Sequence, residues 1–403
     1  MLNARTCLKN LIRTPGAFAV AIVMWYLLSA LPILARHGFD TSVFIVAGDK
    51  FVDSSQLISP ILVQSHSDGY DGQFYYRMAL SPFQLQTRSN GVQFDDPPWR
   101  TQRIMYPVLA WAVAFGRPDL VPATLFLVNL FGMGVIAFLT VKLTSRLGLP
   151  ILTPLAVILW PGFIASLTHD TTEIVAAAFL VAALNAYFSQ RLVAYAALGA
   201  AAALTRETSI LFLAGVFGFE GLRAMRSAAG LDRWRRTIIV GLALVPFLIW
   251  REMQFVLWAQ SPFADAAKNN VGWPFQGFIE MVEDALSGTR FDGKHLALRA
   301  YELGGAGLLT IFCAMVIVRL NATLRISTSG ALAAGWIPII LLMVVLRASW
   351  VEIAFLRVCT ECFVIGCLII ALRPPPQWVS GAMIGGCVVA YGGAWGISLR
   401  NLS

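Results

Sequence analysis

The chain has 403 residues, 58% hydrophobic and 13% charged, with mean hydropathy +0.70 and net charge +8. Soluble domains carry about a quarter charged residues, which excludes an ordinary soluble enzyme. A nucleic-acid-binding role is excluded too, because the basic residues gather in short loops, as the positive-inside pattern requires.

The composition predicts an all-α polytopic membrane protein, with residues 1–403 forming one integral membrane domain. A crossing of ~30 Å of hydrocarbon takes about 20 apolar residues. In chain order the candidates are 15–35, 119–141, 150–168, 172–189, 192–205, 208–222, 237–257, 302–318, 328–347, 354–372 and 378–397, about eleven segments. The first run, Ala17 to Leu34, is too long for a signal-peptide core. Arg5, Lys9 and Arg13, then Lys142 and Arg146, Arg191, the 223–236 arginines, Arg319 and Arg325, and Arg373 all fall on one side. That side is expected to be cytoplasmic, with the N-terminus inside.

The opposite face then receives a long first outer loop, 36–103, and a second outer loop, 258–300, with a short amphipathic helix near 275–287. Helix connections are usually a handful of residues, so a loop as long as 36–103 points to function. Ile104–Phe115 is apolar but short and is expected to lie along the outer interface. The segments 192–205 and 208–222 are each about 14 residues, or ~21 Å of helix. Being short, they are expected to hold Arg206 and Glu207 below the outer surface in a wet cavity.

Polar residues concentrate in a few places. Asp68-Gly-Tyr-Asp71-Gly sets two carboxylates three apart. One of them suits a general base, and the other suits positioning it or holding a divalent cation such as Mg or Mn. A solvated turn is the plainer reading of the same spacing. Gly69 and Gly72 let the backbone approach a ligand closely. Tyr70, Phe74, Tyr75 and Tyr76 are either an interfacial aromatic belt or a platform for a sugar ring or isoprenoid. Arg100 and Arg103 are spaced to share a helix face and suit phosphate through paired charge-assisted hydrogen bonds; an interfacial anchor is the alternative. His169, Asp170 and Glu173 open the fourth segment, where a carboxylate also serves as a cap. Arg357 and Glu361 are four apart, a spacing that permits an intrahelical pair. Intramembrane charges such as these mark cavities or substrate paths. Cys359-Thr-Glu-Cys362 has CxxC spacing on an apolar segment and reads as packing.

The stretch Tyr70-Asp71-Gly72-Gln73-Phe74-Tyr75-Tyr76-Arg77, with Arg100-x-x-Arg103-Ile-x-Tyr106-Pro107 and Leu204-x-Arg206-Glu207-Thr208, resembles the GT-C superfamily of membrane glycosyltransferases. More narrowly it resembles a bacterial group of GT-C-like proteins tied to cell-surface glycopolymers. The resemblance implies a GT-C fold, whose cavity opens to the outer leaflet of a bacterial inner membrane. It implies a polyprenyl-phosphate sugar as donor and a glycan, glycolipid or lipid as acceptor. Asp71, with Asp68, would be catalytic, Asp71 taking the acceptor's proton in an inverting transfer. Arg100, Arg103 or Arg206 would hold the leaving phosphate. Asp170 and Glu173 would line the acceptor side. Tyr70, Gln73, Tyr76 and His169 are expected in the same cavity, as are Glu207, Arg357 and Glu361. The chain departs from the family pattern in having no tight Asp-x-Asp or Asp-Glu pair, which argues against a metal. It also shows no large C-terminal outer domain, which argues against an acceptor that needs one. A transporter or flippase of lipid-linked glycans would share the span count and the intramembrane charges, and a polymerase or ligase would share the donor.

Overall fold

The computed structural model describes residues 10–84, 86–226, 230–259, 270–287, 293–325, 329–347, 350 and 354–402. These residues form an all-α bundle with four two-residue strands confined to the first loop. Every expected apolar segment is helical. Among the described residues, five helices are long and apolar enough to cross a membrane, six if one bent pair counts as a single span, and four shorter apolar helices accompany them.

The first helix, α1 (Pro15–Arg36), starts with proline in its first turn, where the missing N–H costs nothing. The 36–103 segment follows. It holds β1 (Ala47–Gly48) paired in parallel with β2 (Val63–Gln64), helix α2 (Gly72–Leu80), the antiparallel pair β3 (Arg88–Ser89) and β4 (Val92–Gln93), and helix α3 (Pro97–Thr101). Its own apolar core, built on Ile45, Val52, Phe74, Tyr75 and Tyr76, continues into the bundle through Tyr106, Leu125 and Val175. This segment is therefore a packed cap rather than a loose loop. The short apolar stretch after this cap is helical, α4 (Met105–Val113).

Next come α5 (Val121–Leu147), α6 (Thr153–Ile158), α7 (Gly162–Thr168), α8 (Glu173–Phe188), α9 (Leu192–Thr205) and α10 (Thr208–Met225). The expected single segment 150–168 is broken at Leu159–Pro161. Pro161 has no N–H to continue the first helix, and Trp160 turns inward to donate to Thr360 Oγ1 at 3.1 Å. A side chain at Gly162 would lie 2.6 Å from the Leu356 carbonyl, so two broken helices meet there. Helix α9 is short, as expected, but α10 runs three residues past Leu222 and reaches spanning length.

The remaining helices are α11 (Gly230–Gly241), α12 (Val245–Trp258), α13 (Gln276–Ser287), α14 (Gly293–Leu324), α15 (Gly330–Val345), α16 (Ala354–Val358), α17 (Thr360–Leu372) and α18 (Gln377–Asn401). The segment expected over 237–257 is a pair, α11 and α12, bent by 42°. The segment expected over 354–372 is interrupted at Cys359. Much of 258–300 lies outside the described residues, but its expected helix is present as α13. In the bundle α1 packs on α5, α8 on α9, and α10 on α15, while α17 touches α6, α8, α14 and α15.

Candidate functional site

The tip of the first segment is held by close backbone packing. Gly69 has φ +65°, and a Cβ on it would lie 2.5 Å from Gly48 N. A Cβ on Gly72 would lie 2.6 Å from the carbonyls of both His169 and Ile45. Glycine is needed at both positions, and what approaches is the protein's own backbone rather than a ligand. The 168–172 turn is thereby clamped onto residues 70–72, and the Tyr70 and His169 rings meet at 4.5 Å.

Asp71 sits at the N-cap position of α2 without capping it, so its carboxylate is free for distant partners. Oδ1 accepts from Arg100 Nη1 at 2.7 Å, and Oδ2 accepts from Arg357 Nη2 at 3.1 Å. Arg100 also grips Asp95 with two hydrogen bonds of 2.8 and 2.6 Å. Arg357 Nη1 lies 3.1 Å from Glu173. Arg206 contacts Glu361 and lies 3.6 Å from Glu173, and it donates to the Val358 carbonyl at 3.2 Å. Thr208 Oγ1 donates to the other oxygen of Glu361 at 2.8 Å. Arg103 forks onto Glu207 at 2.8 and 2.5 Å and donates to Tyr75 Oη at 2.9 Å. Three of these guanidinium groups lie near aromatic rings: Arg100 over Phe74 at 4.5 Å, Arg357 over Tyr70 at 5.1 Å and Arg103 over Trp99 at 5.5 Å. Such placement favours a desolvated cation.

The result is an ion-pair chain, Asp95–Arg100–Asp71–Arg357–Glu173–Arg206–Glu361, that runs inward from a partly open rim, with the Arg103–Glu207 pair beside it. The Asp71 and Arg100 side chains are 18% and 15% exposed, whereas Glu173, Arg206 and Glu361 are at 1–3%. Burial alone would raise the Asp71 carboxyl, but Arg100, Arg357 and Arg103 together hold it well below the usual carboxylate range. Burial, with Arg357 beside it, brings the His169 imidazole down to about 4.

The sequence-predicted residues divide into three groups. Asp71, Arg100, Arg103, Glu173, Arg206, Glu207, Arg357 and Glu361 converge on this chain, with Tyr70 and His169 at its edge. Arg206 is nevertheless buried and committed to protein carboxylates, so the expected wet cavity around it is a closed ion-pair core instead. Arg357 and Glu361 do not pair with each other. The helix breaks at Cys359 between them, and each takes a partner from elsewhere. Gln73 and Tyr76 serve the cap itself. Gln73 bridges Gly48 N and the Asp68 carbonyl, and the buried Tyr76 hydroxyl donates to Ser59. Phe74, Tyr75 and Tyr76 are all buried, so they form neither an interfacial belt nor an open platform.

Asp68 turns away to Lys50 at 2.8 Å, with its side chain 72% exposed. Among the described residues no ion pair joins it to the cluster. No group of three or more His, Cys, Asp or Glu side chains there is placed to hold a metal ion. Asp170 does not cap α8. It lies fully buried at φ +44°, both oxygens without a hydrogen bond among the described residues, and burial pushes its carboxyl well above the usual range.

Sequence reasoning passed over Asp95 as a partner of Arg100. It also passed over a second buried cluster, in which Glu220 accepts from the Tyr187 hydroxyl and lies 3.0 Å from Arg236 and 3.3 Å from Arg223. An acid inside the apolar run of α10 was the available signal.

An apolar cavity of about 300 Å³ borders the site, lined in part by Phe278, Leu309, Ile340, Met343, Trp350 and Cys359. It shares α17 and the break at Cys359 with the ion-pair chain. Cys359 and Cys362 are buried free thiols in its wall, and Cys359 Sγ lies 3.7 Å from Met343 Sδ. No family model, curated protein or solved structure matches this chain.

Proposed function

We propose that this chain is a polyprenyl-phosphate-sugar-dependent inverting glycosyltransferase of GT-C type. In this reading it acts at the outer face of a bacterial inner membrane in cell-surface glycan or glycolipid assembly. Eleven segments cross the bilayer when α6–α7, α11–α12 and α16–α17 each count as one. The arginine-rich end, with Arg146, Arg191, Arg223 and Arg236, faces the cytoplasm, and the Asp71 end faces out.

One observation carries the reading. A partly open carboxylate stands between two arginines, and an apolar cavity borders the same broken helices. That combination suits a ligand with an anionic phosphate, a polar sugar and an apolar tail. The acceptor hydroxyl gives its proton to Asp71, and its oxygen bonds to the anomeric carbon. The bond from that carbon to the phosphate oxygen breaks, and the electron pair stays on the phosphate. Polyprenyl phosphate leaves from Arg100 and Arg357, whose charge meets the developing anion. Arg103 and Arg206, engaged by Glu207 and Glu361, position the others.

The deciding assay incubates the purified chain with a polyprenyl-phosphate sugar and membrane glycolipid acceptors. Asp71→Asn should retain donor binding and lose transfer by about 10²–10⁴-fold. Near-normal turnover in that variant removes Asp71 as the base.

A second reading has its own support. Two broken helices, α6–α7 and α16–α17, meet at Trp160 and Thr360, and discontinuous helices are a mark of transporters. A carrier of lipid-linked glycans would move labelled lipid across proteoliposomes without forming a new glycosidic bond.

A further inference from the structure

Resting on the glycosyl-transfer reading, we infer that Asp71 and the phosphate of the incoming lipid-linked sugar compete for the same two guanidinium groups. Seating the phosphate on Arg100 and Arg357 is then the event that releases Asp71 to act as a base.

Four observations support this exchange. First, both Asp71 oxygens are held, one by each arginine, and a carboxylate so held is a poor proton acceptor. Second, Arg357 keeps donors in reserve. Its Nε makes no hydrogen bond among the described residues, and its Nη1 meets only Glu173, at 3.1 Å without hydrogen-bond geometry, although the side chain is only 9% exposed. A buried N–H without a partner is costly, and a phosphate oxygen is a strong acceptor for it.

Third, each arginine has another carboxylate at hand. Arg100 holds Asp95 by two bonds, and Arg357 lies 3.1 Å from Glu173. Letting go of Asp71 therefore leaves neither cation bare. Fourth, the charge balance leaves no room for simple addition. Among the described residues, the ion-paired carboxylates Asp71, Asp95, Glu173, Glu207 and Glu361 face Arg100, Arg103, Arg206 and Arg357, and Arg251 adds its charge beside Glu207, so no cation stands in surplus. A phosphodiester brings one further negative charge. The excess is relieved when Asp71, turned from the arginines, accepts the acceptor's proton. Because Asp95, Asp71 and Arg100 are the most open members of the chain, at 31%, 18% and 15%, the exchange takes place at the rim and leaves the inner ion pairs intact.

The consequence is ordered chemistry. Without donor phosphate the base is locked, and with it the base is freed beside the reacting carbon.

The test measures binding of farnesyl methyl phosphate, a phosphodiester that does not titrate near neutrality, to the full chain in detergent. Asp71→Asn removes the competitor and should bind about tenfold tighter than wild type. Glu207→Gln deletes the same unit of charge but frees only Arg103, and should change affinity less than threefold. In an Arg100→Gln background the gain from Asp71→Asn should shrink at least threefold, as a double-mutant cycle reports for coupled groups. Equal or weaker binding by Asp71→Asn, or equal tightening by Glu207→Gln, overturns the exchange alone. No saturable binding to wild type overturns the exchange and the glycosyl-transfer reading together. Should Asp71→Asn fail to purify, infrared difference spectra of the wild-type chain decide instead. Ligand should shift a carboxylate stretching band, and a spectrum of ligand bands only overturns the proposal.

Discussion

The cluster around Asp71 and the cluster around Glu220 lie at opposite ends of α8. Glu173 opens that helix and Tyr187 stands one residue from its end, about 21 Å away at 1.5 Å per residue. Both clusters bury a carboxylate among arginines. Among the described residues, Glu220 takes its partners from residues 187–236, and two cations serve its single carboxylate. It ties α8, α10 and α11 into a staple. Asp71 instead draws on Arg100 and Arg357, 29 and 286 residues away, within a cluster that interleaves several acids and arginines. Similar chemistry makes a fastener in one place and a candidate site in the other. The difference is the distance in sequence over which the fold converges, together with the donors and exposure left at the rim.

Substitutions can break that comparison, beginning with the largest effect. On activity, Asp71→Asn should abolish transfer while Glu220→Gln leaves it intact; loss in both would erase the distinction. On stability, Glu361→Gln should be the most damaging, because it strips the buried Arg206 of its closest partner. Breaking a buried pair costs about 3–5 kcal/mol, read as a lowered unfolding midpoint in detergent.

His169 sharpens the contrast through pH. Its value of about 4 in the folded chain lies below the unfolded value of about 6.5. Between these two values the unfolded chain binds more protons, so native stability falls as pH drops through the window, by at most about 3 kcal/mol. His169→Gln should flatten that part of the stability profile, and an unchanged slope would place the titration elsewhere. Glu220→Gln should cost less, about 1–2 kcal/mol, because Arg223 and Arg236 are 24% and 16% exposed and can turn to water. Smallest of all, Asp68→Asn should leave both the midpoint and transfer unchanged, since exposed pairs contribute little.

Much of the site was legible in the sequence because a charge in an apolar run is expensive and therefore conspicuous. Arg206, Glu173, Arg357 and Glu361 all announced themselves in this way. Their pairing was not legible. The four-residue spacing of Arg357 and Glu361 suggested a bond within one helix, and only the break at Cys359 sends them to different partners. Gln73 and Tyr76 looked like ligand contacts by residue type, yet the cap uses them to satisfy its own backbone. Asp95 was hidden because an acid in a polar loop carries no signal until the fold brings Arg100 to it. The helix breaks had a partial signal in Trp160-Pro161-Gly162, masked by the hydrophobicity of the window around it.

The sulfur atoms beside the ion-pair chain have a practical consequence. Cys313, Cys359 and Cys362 line the apolar cavity; Cys359 and Cys362 are buried and Cys313 is half-buried, so a membrane-permeant alkylating agent is expected to reach Cys313 first. The native chain thus carries its own occupancy gauge. The rate at which a greasy maleimide modifies these thiols should fall whenever a hydrocarbon chain fills the space, with no label engineered in.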